Sequence, residues 1–321
     1  MKQTTSIIGC GRWASFLSWY SSQLGHDTML YGRPQSERLQ RLRQTRKNDY
    51  LELPATVQVT DDLERVVNHS AYLLVAIGAQ NLREFCQQLP PAALRAKTVV
   101  LCMKGLEVTS GSRLTQVVRG VGGVQNNVAV WVGPGHVQDF VRQIPNCMVI
   151  GSEDIDTTRA LVERYSSPLI RLYMGQDLIG NEVGAAAKNV MGIAAGMLDG
   201  LGLSALKGAL MARGAREIAR LIRAMGGNEL TAYGLAHLGD YQATLFSTHS
   251  HNRRFGEMFI AGQPFDQLAE GVATLDALML LSEKHVVDMP ITHALHCIIH
   301  EEQEPRTVLQ QLLLRPVKHE F

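Results

Sequence analysis

The first half of the chain alternates short apolar runs with longer amphipathic stretches. Between residue 1 and about residue 175, the β-branched runs are separated by stretches with helical spacing of apolar positions. This alternation is typical of a parallel β-sheet whose strands are joined by crossover helices. The predicted strands are residues 5–8, 27–31, 71–76, 98–102, 128–132 and 147–151.

The second half of the chain has a different pattern. From residue 177 onward, Ala, Gly, Met and Leu fill long stretches with helical spacing, and no convincing strand pattern occurs. The sequence therefore predicts α/β plus all-α, with a mostly parallel sheet domain over residues 1–176 and a helical domain over residues 177–321. Because no long linker is evident, we expect a strand to pass directly into a helix near residues 174–180.

Composition and charge narrow the class of protein. The 321 residues, 45% of them hydrophobic, suffice for two domains. Since 31 basic side chains nearly balance 30 acidic ones, we expect no nucleic-acid partner and no membrane insertion. The absence of a signal-peptide pattern and of a long apolar segment predicts a cytoplasmic protein. The 5 cysteines show no Cys-x-x-Cys spacing and are expected to be reduced thiols.

A glycine-rich turn follows the first predicted strand. Residues 6–8 lead into Gly9-Cys10-Gly11-Arg12-Trp13-Ala14, and the stretch that follows has helical spacing. In such turns the first glycine permits a tight bend, the second lets backbone amides approach a pyrophosphate, and a small third residue allows close packing. The start of the helix offers free N–H groups to the phosphates. The order of strand, turn and helix predicts a Rossmann-type dinucleotide site.

The end of the second predicted strand bears on the choice of cofactor. An NAD site would place Asp or Glu there for the ribose 2′-hydroxyl, but this chain has Tyr31-Gly32-Arg33. Arg33 could pair with the 2′-phosphate of NADP. It could equally be one solvated charge of a basic, exposed helix start that also contains Arg38, Arg41 and Arg43. The prediction is NADP or NAD, with NADP favoured.

Two lysines are candidates for chemistry. Lys104 follows a buried strand, which places it at the carboxyl edge of the sheet, where ligands bind in such folds. Lys188 and Asn189 lie among small and apolar residues on a predicted helix, and an ammonium buried without a partner is costly. Asp240 is an available partner, and Thr244 lies one turn beyond it if that stretch is helical.

Further segments occur in a fixed order along nearly the whole chain. They include Gly9 to Trp13, Lys104 in Lys-Gly-Leu-Glu, Gly133-Pro134, Glu182 to Asn189, Asp199 to Gly202, Gly239-Asp240 with Thr244, Ser250 to Gly256, and Met289 to Thr292. In these segments the chain resembles the bacterial-type NAD(P)-dependent glycerol-3-phosphate dehydrogenases. The resemblance implies reversible NAD(P)H-dependent reduction of dihydroxyacetone phosphate to sn-glycerol 3-phosphate, which supplies glycerophospholipid synthesis. It also implies a Rossmann domain followed by a helical substrate-binding and catalytic domain.

The resemblance also implies residue roles. Lys188 would transfer the proton to the C2 oxygen of the substrate, Asp240 would be its charge partner, and Lys104 would meet both cofactor and substrate. This agrees with the chemistry, because hydride transfer to a ketone leaves negative charge on oxygen that a lysine can neutralise. The other implied substrate contacts are Gly133, Gly135, Asn189, Thr244, Ser250, His251, Asn252 and Arg253. The implied cofactor contacts are Gly9, Gly11, Arg12, Trp13, Arg33, Lys104, Val137, His251, Leu268 and Glu270.

One departure from the family concerns the substrate phosphate. The family pattern Ser-Arg-Asn-Arg reads Ser250-His251-Asn252-Arg253 in this chain. Arginine offers a permanent charge and a two-donor fork, whereas the charge of histidine fades near neutral pH. Either Arg253 or Arg254 compensates, or the distal group of the substrate differs. This departure leaves one alternative open, a reductase of the same fold for another small phosphorylated or phosphonate-bearing ketone. A separate alternative of another class is a non-catalytic NAD(P)-binding sensor, which would keep the glycine turn and lose the reactive residues.

Other polar residues of the second half are predicted to be structural. His296 and His300 would share a helix face with i, i+4 spacing, but no His-Glu-x-x-His arrangement occurs and the family needs no metal. With His293 they are interpreted as a polar helix face, and no metal site is predicted. Lys207 is interpreted as a surface charge. A homodimer, the commonest assembly, remains open.

Overall fold

The computed structural model describes residues 2–95, 97–122, 127–316 and 319. The chain forms two compact units. The first consists of Met1–Lys104 and Ser112–Glu182, and the second of Gly105–Gly111 and Val183–Phe321.

Among the helices of the described ranges, none has both the length and the apolar composition that a membrane span requires. All 5 cysteines are free thiols.

The first unit is built on one eight-stranded sheet. Its strands are β1 (Thr4–Ile8), β2 (Asp27–Tyr31), β3 (Gln58–Thr60), β4 (Tyr72–Val75), β5 (Thr98–Leu101), β6 (Asn127–Val132), β7 (Asn146–Ser152) and β8 (Ile170–Gly175). They are arranged in the order β3-β2-β1-β4-β5-β6-β7-β8. All neighbouring pairs are parallel except β6 and β7, which are antiparallel. The predicted Rossmann-type, mostly parallel sheet is confirmed.

Six of the eight strands coincide closely with the predicted ones. The two that were not predicted, β3 and β8, lie at the two edges of the sheet. β3 is only 3 residues long and contains Gln58 and Thr60. In β8 the side chains of Arg171 and Tyr173 are exposed, so the run lacks the continuous apolar character of a central strand. Edge strands are thus the ones that an apolar pattern fails to reveal.

Helices connect the strands of the first unit and complete its core. They are α1 (Arg12–Gln23), α2 (Glu37–Thr45), α3 (Leu63–His69), α4 (Leu82–Gln87), α5 (Pro91–Arg95), α6 (Leu114–Gly122), α7 (Val137–Val141) and α8 (Ile155–Tyr165). The core contains a group of stacked aromatic rings. In this group the ring centroids of Phe16 on α1 and Phe140 on α7 are 5.0 Å apart. This packing fixes α1, and therefore the glycine turn before it, against the sheet.

The second unit contains no strand among its described residues, so the predicted all-helical second half is confirmed. Its helices are α9 (Leu178–Gly200), whose first residues belong to the first unit, α10 (Lys207–Ala224), α11 (His251–Ile260), α12 (Glu270–His285), α13 (Pro290–His300) and α14 (Pro305–Leu313). Two residues separate β8 from α9, as expected for a strand that passes directly into a helix. From Val183 to Leu198 every residue of α9 is buried. The small and apolar composition of this segment is explained by that burial.

Glycines allow α9 and α11 to approach each other very closely. A Cβ atom added to Gly196 would lie 1.8 Å from the carbonyl oxygen of Arg253, and one added to Gly256 would lie 2.2 Å from that of Ile193. Backbone atoms cannot yield to such contacts, so both positions require glycine. The close contact holds the first turn of α11, with Asn252 and Arg253, beside the middle of α9.

Two buried carboxylates bind the starts of helices. Glu182 accepts hydrogen bonds from the Thr115 N–H (2.9 Å) and hydroxyl (2.7 Å) at the start of α6, and from Arg113 (2.5 Å). Glu217 of α10 accepts the N–H groups of Ile291 (2.8 Å) and Thr292 (2.9 Å) in the first turn of α13. Burial raises the pKa of both carboxyl groups, and these hydrogen bonds act in the opposite direction. Each carboxylate satisfies amides that the helix itself leaves without partners.

Candidate active site

The glycine turn between β1 and α1 has the geometry that phosphate binding needs. Gly9 has a φ angle of +115°, and a Cβ atom there would lie 2.4 Å from the carbonyl oxygen of Ala76. Gly11 is the N-cap of α1 and provides no side-chain cap. A Cβ atom at Gly11 would meet only Arg38 Nη1, at 3.7 Å. Because position 11 carries no side chain and no side chain caps the start of α1, the first turn of that helix fits a pyrophosphate.

The predicted cofactor residues around this turn have distinct surroundings. The guanidinium of Arg12 lies over the ring of Tyr50, 5.4 Å from its centroid. Trp13 stacks on Phe16, with 4.9 Å between ring centroids, and contributes to the core. Arg33 is exposed. Arg38, which sequence reasoning treated only as a helix-start charge, is the arginine whose side chain reaches the glycine turn, and no pattern in the sequence distinguishes it from Arg41.

Lys104 and Gly133 come together at the end of β6. The Lys104 ammonium donates a hydrogen bond of 2.8 Å to the carbonyl oxygen of Gly133. Gly133 (φ +127°) and Gly135 (φ +153°) have backbone conformations that favour glycine, and a Cβ atom at Gly135 would lie 2.4 Å from the Phe140 ring. Val137, a predicted cofactor contact, is buried in the core of the first unit.

Lys188 is the centre of a buried polar group in the second unit. Its Nζ donates a 2.8 Å hydrogen bond to the Thr244 hydroxyl and lies 3.2 Å from Asp240 Oδ2. The Thr244 hydroxyl donates in turn to the Asp240 carbonyl oxygen at 2.8 Å. The backbone makes this possible through a 3₁₀ turn, Leu238–Asp240, followed by a π-helical turn, Gln242–Phe246. Aspartate and threonine thus converge on one ammonium group.

The burial of Lys188, Asp240 and Thr244 determines which chemistry these side chains can perform. Lys188 is 9% exposed, and Asp240 and Thr244 are each 1% exposed. A charge removed from water is tolerated only when it is paired and hydrogen-bonded, so Asp240 stabilises the protonated lysine. An ammonium held in a low-dielectric site interacts strongly with negative charge that develops on a nearby oxygen. The arrangement is therefore suited to donating a proton to an oxyanion.

His237 and Tyr241 connect the segment that carries Asp240 to α9. His237 is fully buried, and its Nδ1 lies 2.8 Å from the carbonyl oxygen of Gly184, which is one turn before Lys188 on α9. Since a carbonyl only accepts, Nδ1 carries the hydrogen, and Nε2 accepts the hydroxyl of Tyr241 at 2.7 Å. Tyr241 directly follows Asp240. Sequence reasoning did not identify His237, because its role depends on a contact distant in sequence.

The start of α12 lies beside the Asn252 side chain and the backbone of Asn189. Asn252 Oδ1 accepts the N–H of Gly271 at 2.9 Å. A Cβ atom at Gly271 would lie 2.8 Å from the Asn189 carbonyl oxygen, so glycine is required there. Ser250 caps α11 by accepting the N–H of Arg253 at 3.3 Å, and the half-buried His251 is the first residue of that helix. Glu270 begins α12, whereas Leu268 is 70% exposed.

Asp199 holds two cations. Its Oδ2 lies 2.5 Å from Arg253 Nη1 and 2.6 Å from Lys207 Nζ, and Arg253 is also 3.3 Å from Glu257. Burial alone would raise the pKa of Asp199, but hydrogen bonds from Lys207, Ser204 and Arg253 outweigh it and lower the pKa. Interpreting Lys207 as a surface charge was wrong, because it is 6% exposed. Arg253 thus shares Asp199 with Lys207 and has further partners in Glu257 and in the Ser247 carbonyl oxygen, to which its Nε donates at 3.2 Å.

We predict that His237 makes the protein less stable in acid. Burial, aided by Lys188, lowers the His237 pKa from 6.5 to about 4, against the hydrogen bond to Gly184 and the charge of Asp240. Between these pH values the unfolded chain binds a proton that the folded chain does not. The free energy of unfolding should therefore be highest above pH 6.5 and fall towards pH 4, by about 3 kcal/mol at most from this residue. Urea unfolding at a series of pH values measures it.

The matched variant combines His237→Leu with Tyr241→Phe, so that the Tyr241 hydroxyl is not left without its acceptor. Its free energy of unfolding should depend less steeply on pH in this range than that of the wild-type protein. His26, whose pKa is also lowered to about 4, is present in both proteins and contributes equally. Identical pH profiles of the two proteins would contradict the prediction.

Sequence models of one protein family match both halves of the chain. The sequence model of the NAD-dependent glycerol-3-phosphate dehydrogenase N-terminus matches residues 4–158, and that of the C-terminus matches residues 177–310. Relatives named glycerol-3-phosphate dehydrogenase [NAD(P)+] include one from Clostridium botulinum, 33% identical over 98% of both chains. Another, from Salinibacter ruber, is 33% identical over 100% of this chain and 97% of its own.

Solved structures agree with the sequence comparison. The structure of glycerol-3-phosphate dehydrogenase from Coxiella burnetii has a TM-score of 0.90 and 28% sequence identity, and the match covers 98% of this chain and 99% of that one. D-mandelate dehydrogenase with NADH has a TM-score of 0.61 at 12% identity, with coverage of 94% and 98%, a likeness of fold alone. The resemblance inferred from the sequence is confirmed, and the chain belongs to the NAD-dependent glycerol-3-phosphate dehydrogenase family.

Proposed function

We propose that this protein catalyses the reversible NAD(P)H-dependent reduction of dihydroxyacetone phosphate to sn-glycerol 3-phosphate. The observation that carries the proposal is the buried Lys188, paired with Asp240 and hydrogen-bonded to Thr244, in a chain of this family. The names of its relatives, glycerol-3-phosphate dehydrogenase [NAD(P)+], support the same substrate and cofactors. The product is a precursor of glycerophospholipids.

Lys188 has the properties that the reduction requires. NAD(P)H, when bound, would supply the hydride that reduces C2 of the ketone, which would leave negative charge on the C2 oxygen. The Lys188 ammonium polarises that oxygen and donates a proton to it, and the resulting amine stays hydrogen-bonded to Thr244. Asp240 balances the charge of the buried ammonium before the reaction. Asn189 and Asn252 are the proposed neutral contacts that orient the substrate.

The glycine turn supports the proposed cofactor. Glycine at positions 9 and 11 and the uncapped start of α1 fit the pyrophosphate of a dinucleotide. Lys104, tied to Gly133, is the proposed residue that contacts both cofactor and substrate from the first unit. Arg12, Trp13, Val137, His251, Leu268 and Glu270 remain proposed cofactor contacts, and Gly133, Gly135, Thr244, Ser250, His251 and Arg253 remain proposed substrate contacts.

Lys188→Ala should abolish most turnover. Removing the proton donor should lower kcat by roughly 10²–10⁴-fold, because that is the usual contribution of general acid–base catalysis. The measurement is the rate of NADPH or NADH oxidation with dihydroxyacetone phosphate. Cofactor binding, followed by NADPH fluorescence, should stay at the wild-type level, since Lys188 belongs to the second unit and the glycine turn to the first.

Lys284→Ala is the matched control, because Lys284 is an exposed lysine of the same unit and should leave kcat unchanged. Normal turnover by the Lys188 variant would refute the proposed mechanism. Cofactor binding by the wild-type protein without turnover of any ketone would instead favour the non-catalytic NAD(P)-binding sensor.

We propose that NADPH is preferred, and that two arginines select it. Arg33 follows β2, and Arg38 reaches the glycine turn, so both can contact a 2′-phosphate. Arg33→Ala and Arg38→Ala should each raise the KM for NADPH at least about tenfold, the loss expected for a hydrogen bond between charged groups. The KM for NADH should change little. Steady-state rates with both cofactors measure this, with Arg41→Ala as control, and equal effects on NADPH and NADH would contradict the proposal.

The proposed contact for the substrate phosphate differs from the pattern of the family. Where the family has an arginine this chain has His251, and the donors of the neighbouring Arg253 are already engaged by Asp199, Glu257 and the Ser247 carbonyl oxygen. Arg253 therefore compensates poorly for the missing permanent charge, and we assign the phosphate contact mainly to His251. The same observation favours one second candidate, a reductase of this fold for another small phosphorylated or phosphonate-bearing ketone.

His251→Arg should lower the KM for dihydroxyacetone phosphate by about tenfold, because arginine offers a permanent charge and a two-donor fork to the phosphate. Steady-state kinetics with dihydroxyacetone phosphate provide the test. An unchanged KM would contradict the role of His251, and faster wild-type turnover of another ketone would favour the second candidate.

The free thiols bear on the compartment in which the protein acts. Five free thiols fit a reducing compartment, and we propose that the protein acts in the cytoplasm on a small phosphorylated substrate. A homodimer is the proposed assembly, as the commonest symmetric one. Light scattering of the purified protein measures the assembly directly.

A further inference from the structure

Helices α12 and α13 bring three metal-binding side chains together in the second unit. His296 and His300 are one turn apart on α13, and Asp276 is on α12. Each side chain offers one ligand atom, and these atoms all lie within 4.8 Å of one another. In the sequence the two histidines lacked a third ligand. The structure supplies it from a residue 20 positions away from the nearer histidine.

The side chains are already oriented towards one another. His300 Nε2 lies 2.8 Å from Asp276 Oδ1, and the rings of His296 and His300 have centroids 4.9 Å apart. Glu301 adds a second carboxylate, with Oε1 at 3.5 Å from His296 Nδ1. If His296 binds the metal through Nδ1, Glu301 completes the ligand set. If His296 binds it through Nε2, Glu301 accepts a hydrogen bond from Nδ1 and orients the ring. Small side-chain rotations would bring three ligands to metal-binding distance.

The donor atoms indicate the class of ion. Two imidazoles with a carboxylate suit Zn²⁺ and its neighbours, whereas Mg²⁺ and Ca²⁺ prefer oxygen alone. The thiol of Cys297 contacts His293 Nδ1 at 3.5 Å and is not one of the three grouped ligands, so the set is nitrogen and oxygen. The side chains of His296 and His300 are 30% and 34% exposed, which leaves access for an ion from solution.

We propose that Asp276, His296 and His300 form a binding site for a divalent transition-metal ion of the Zn²⁺ class. The ion links α12 to α13 and stabilises the second unit. This site is built from residues other than those proposed for catalysis, so it does not depend on the proposed reaction. A three-residue ligand set leaves one position of a tetrahedral ion for Glu301 or water.

The test uses full-length protein with the affinity tag removed, because tag histidines bind the same ions. Titration with ZnCl₂ by calorimetry should give one site per chain. Saturating Zn²⁺ should raise the Tm by at least about 3 °C, and EDTA should reverse the shift. Co²⁺ at the same site should give the visible absorption of a tetrahedral or five-coordinate ion.

Three variants identify the ligands. His300→Ala and Asp276→Asn should each weaken Zn²⁺ binding by at least about 100-fold, more than the loss of an outer hydrogen-bond partner costs, and should remove the Zn²⁺-dependent Tm shift. His293→Ala, on the same helix but outside the group, should retain both. Comparing each variant with and without Zn²⁺ separates metal binding from any change in basal stability. Wild-type protein without saturable binding, or equal binding by all three variants, would overturn the proposal.

Discussion

The burial of one positive charge, that of Lys188, imposes the most demanding constraint on the second unit. An ammonium inside an apolar helix bundle needs an anion and hydrogen-bond acceptors at fixed distances, or folding would expel it. Asp240 and Thr244 meet that need at 3.2 and 2.8 Å. The segment that carries them consequently adopts a 3₁₀ turn and a π-helical turn instead of a regular helix. Such π-helical turns occur frequently at functional sites.

The surroundings of Lys188 are organised around the same requirement. His237 and Tyr241 join the Asp240 segment to α9 through two hydrogen bonds, and both are buried where they cannot exchange partners with water. Glycines 192 and 196 remove side chains where Thr244 and α11 approach α9. Small residues on α9 and polar residues on the segments that pack against this helix thus fix the position of the Lys188 ammonium group.

The sequence predicted the features that depend on local pattern. The central strands, the glycine turn and the helical second half each have a periodicity or a motif, and all were found. The edge strands β3 and β8, the reach of Arg38 and the burial of Lys207 were not predicted. Each of these depends on which distant residue lies alongside, and neither spacing nor composition encodes that. The pairing of Asp199 with both Lys207 and Arg253 is an example, since 54 residues separate Asp199 from Arg253.

The carboxylates of Glu182 and Glu217 have a consequence for how the molecule folds. Helices α6 and α13 receive hydrogen-bond acceptors for their first amides from residues that lie 67 and 75 positions away. Until its distant glutamate arrives, the start of each helix depends on water for these amides, and neither glutamate can be buried with its partners before its helix is present. Burial of each helix start and desolvation of each acid are therefore coupled, and a fragment of the chain that ends between the two partners would lack the buried contact.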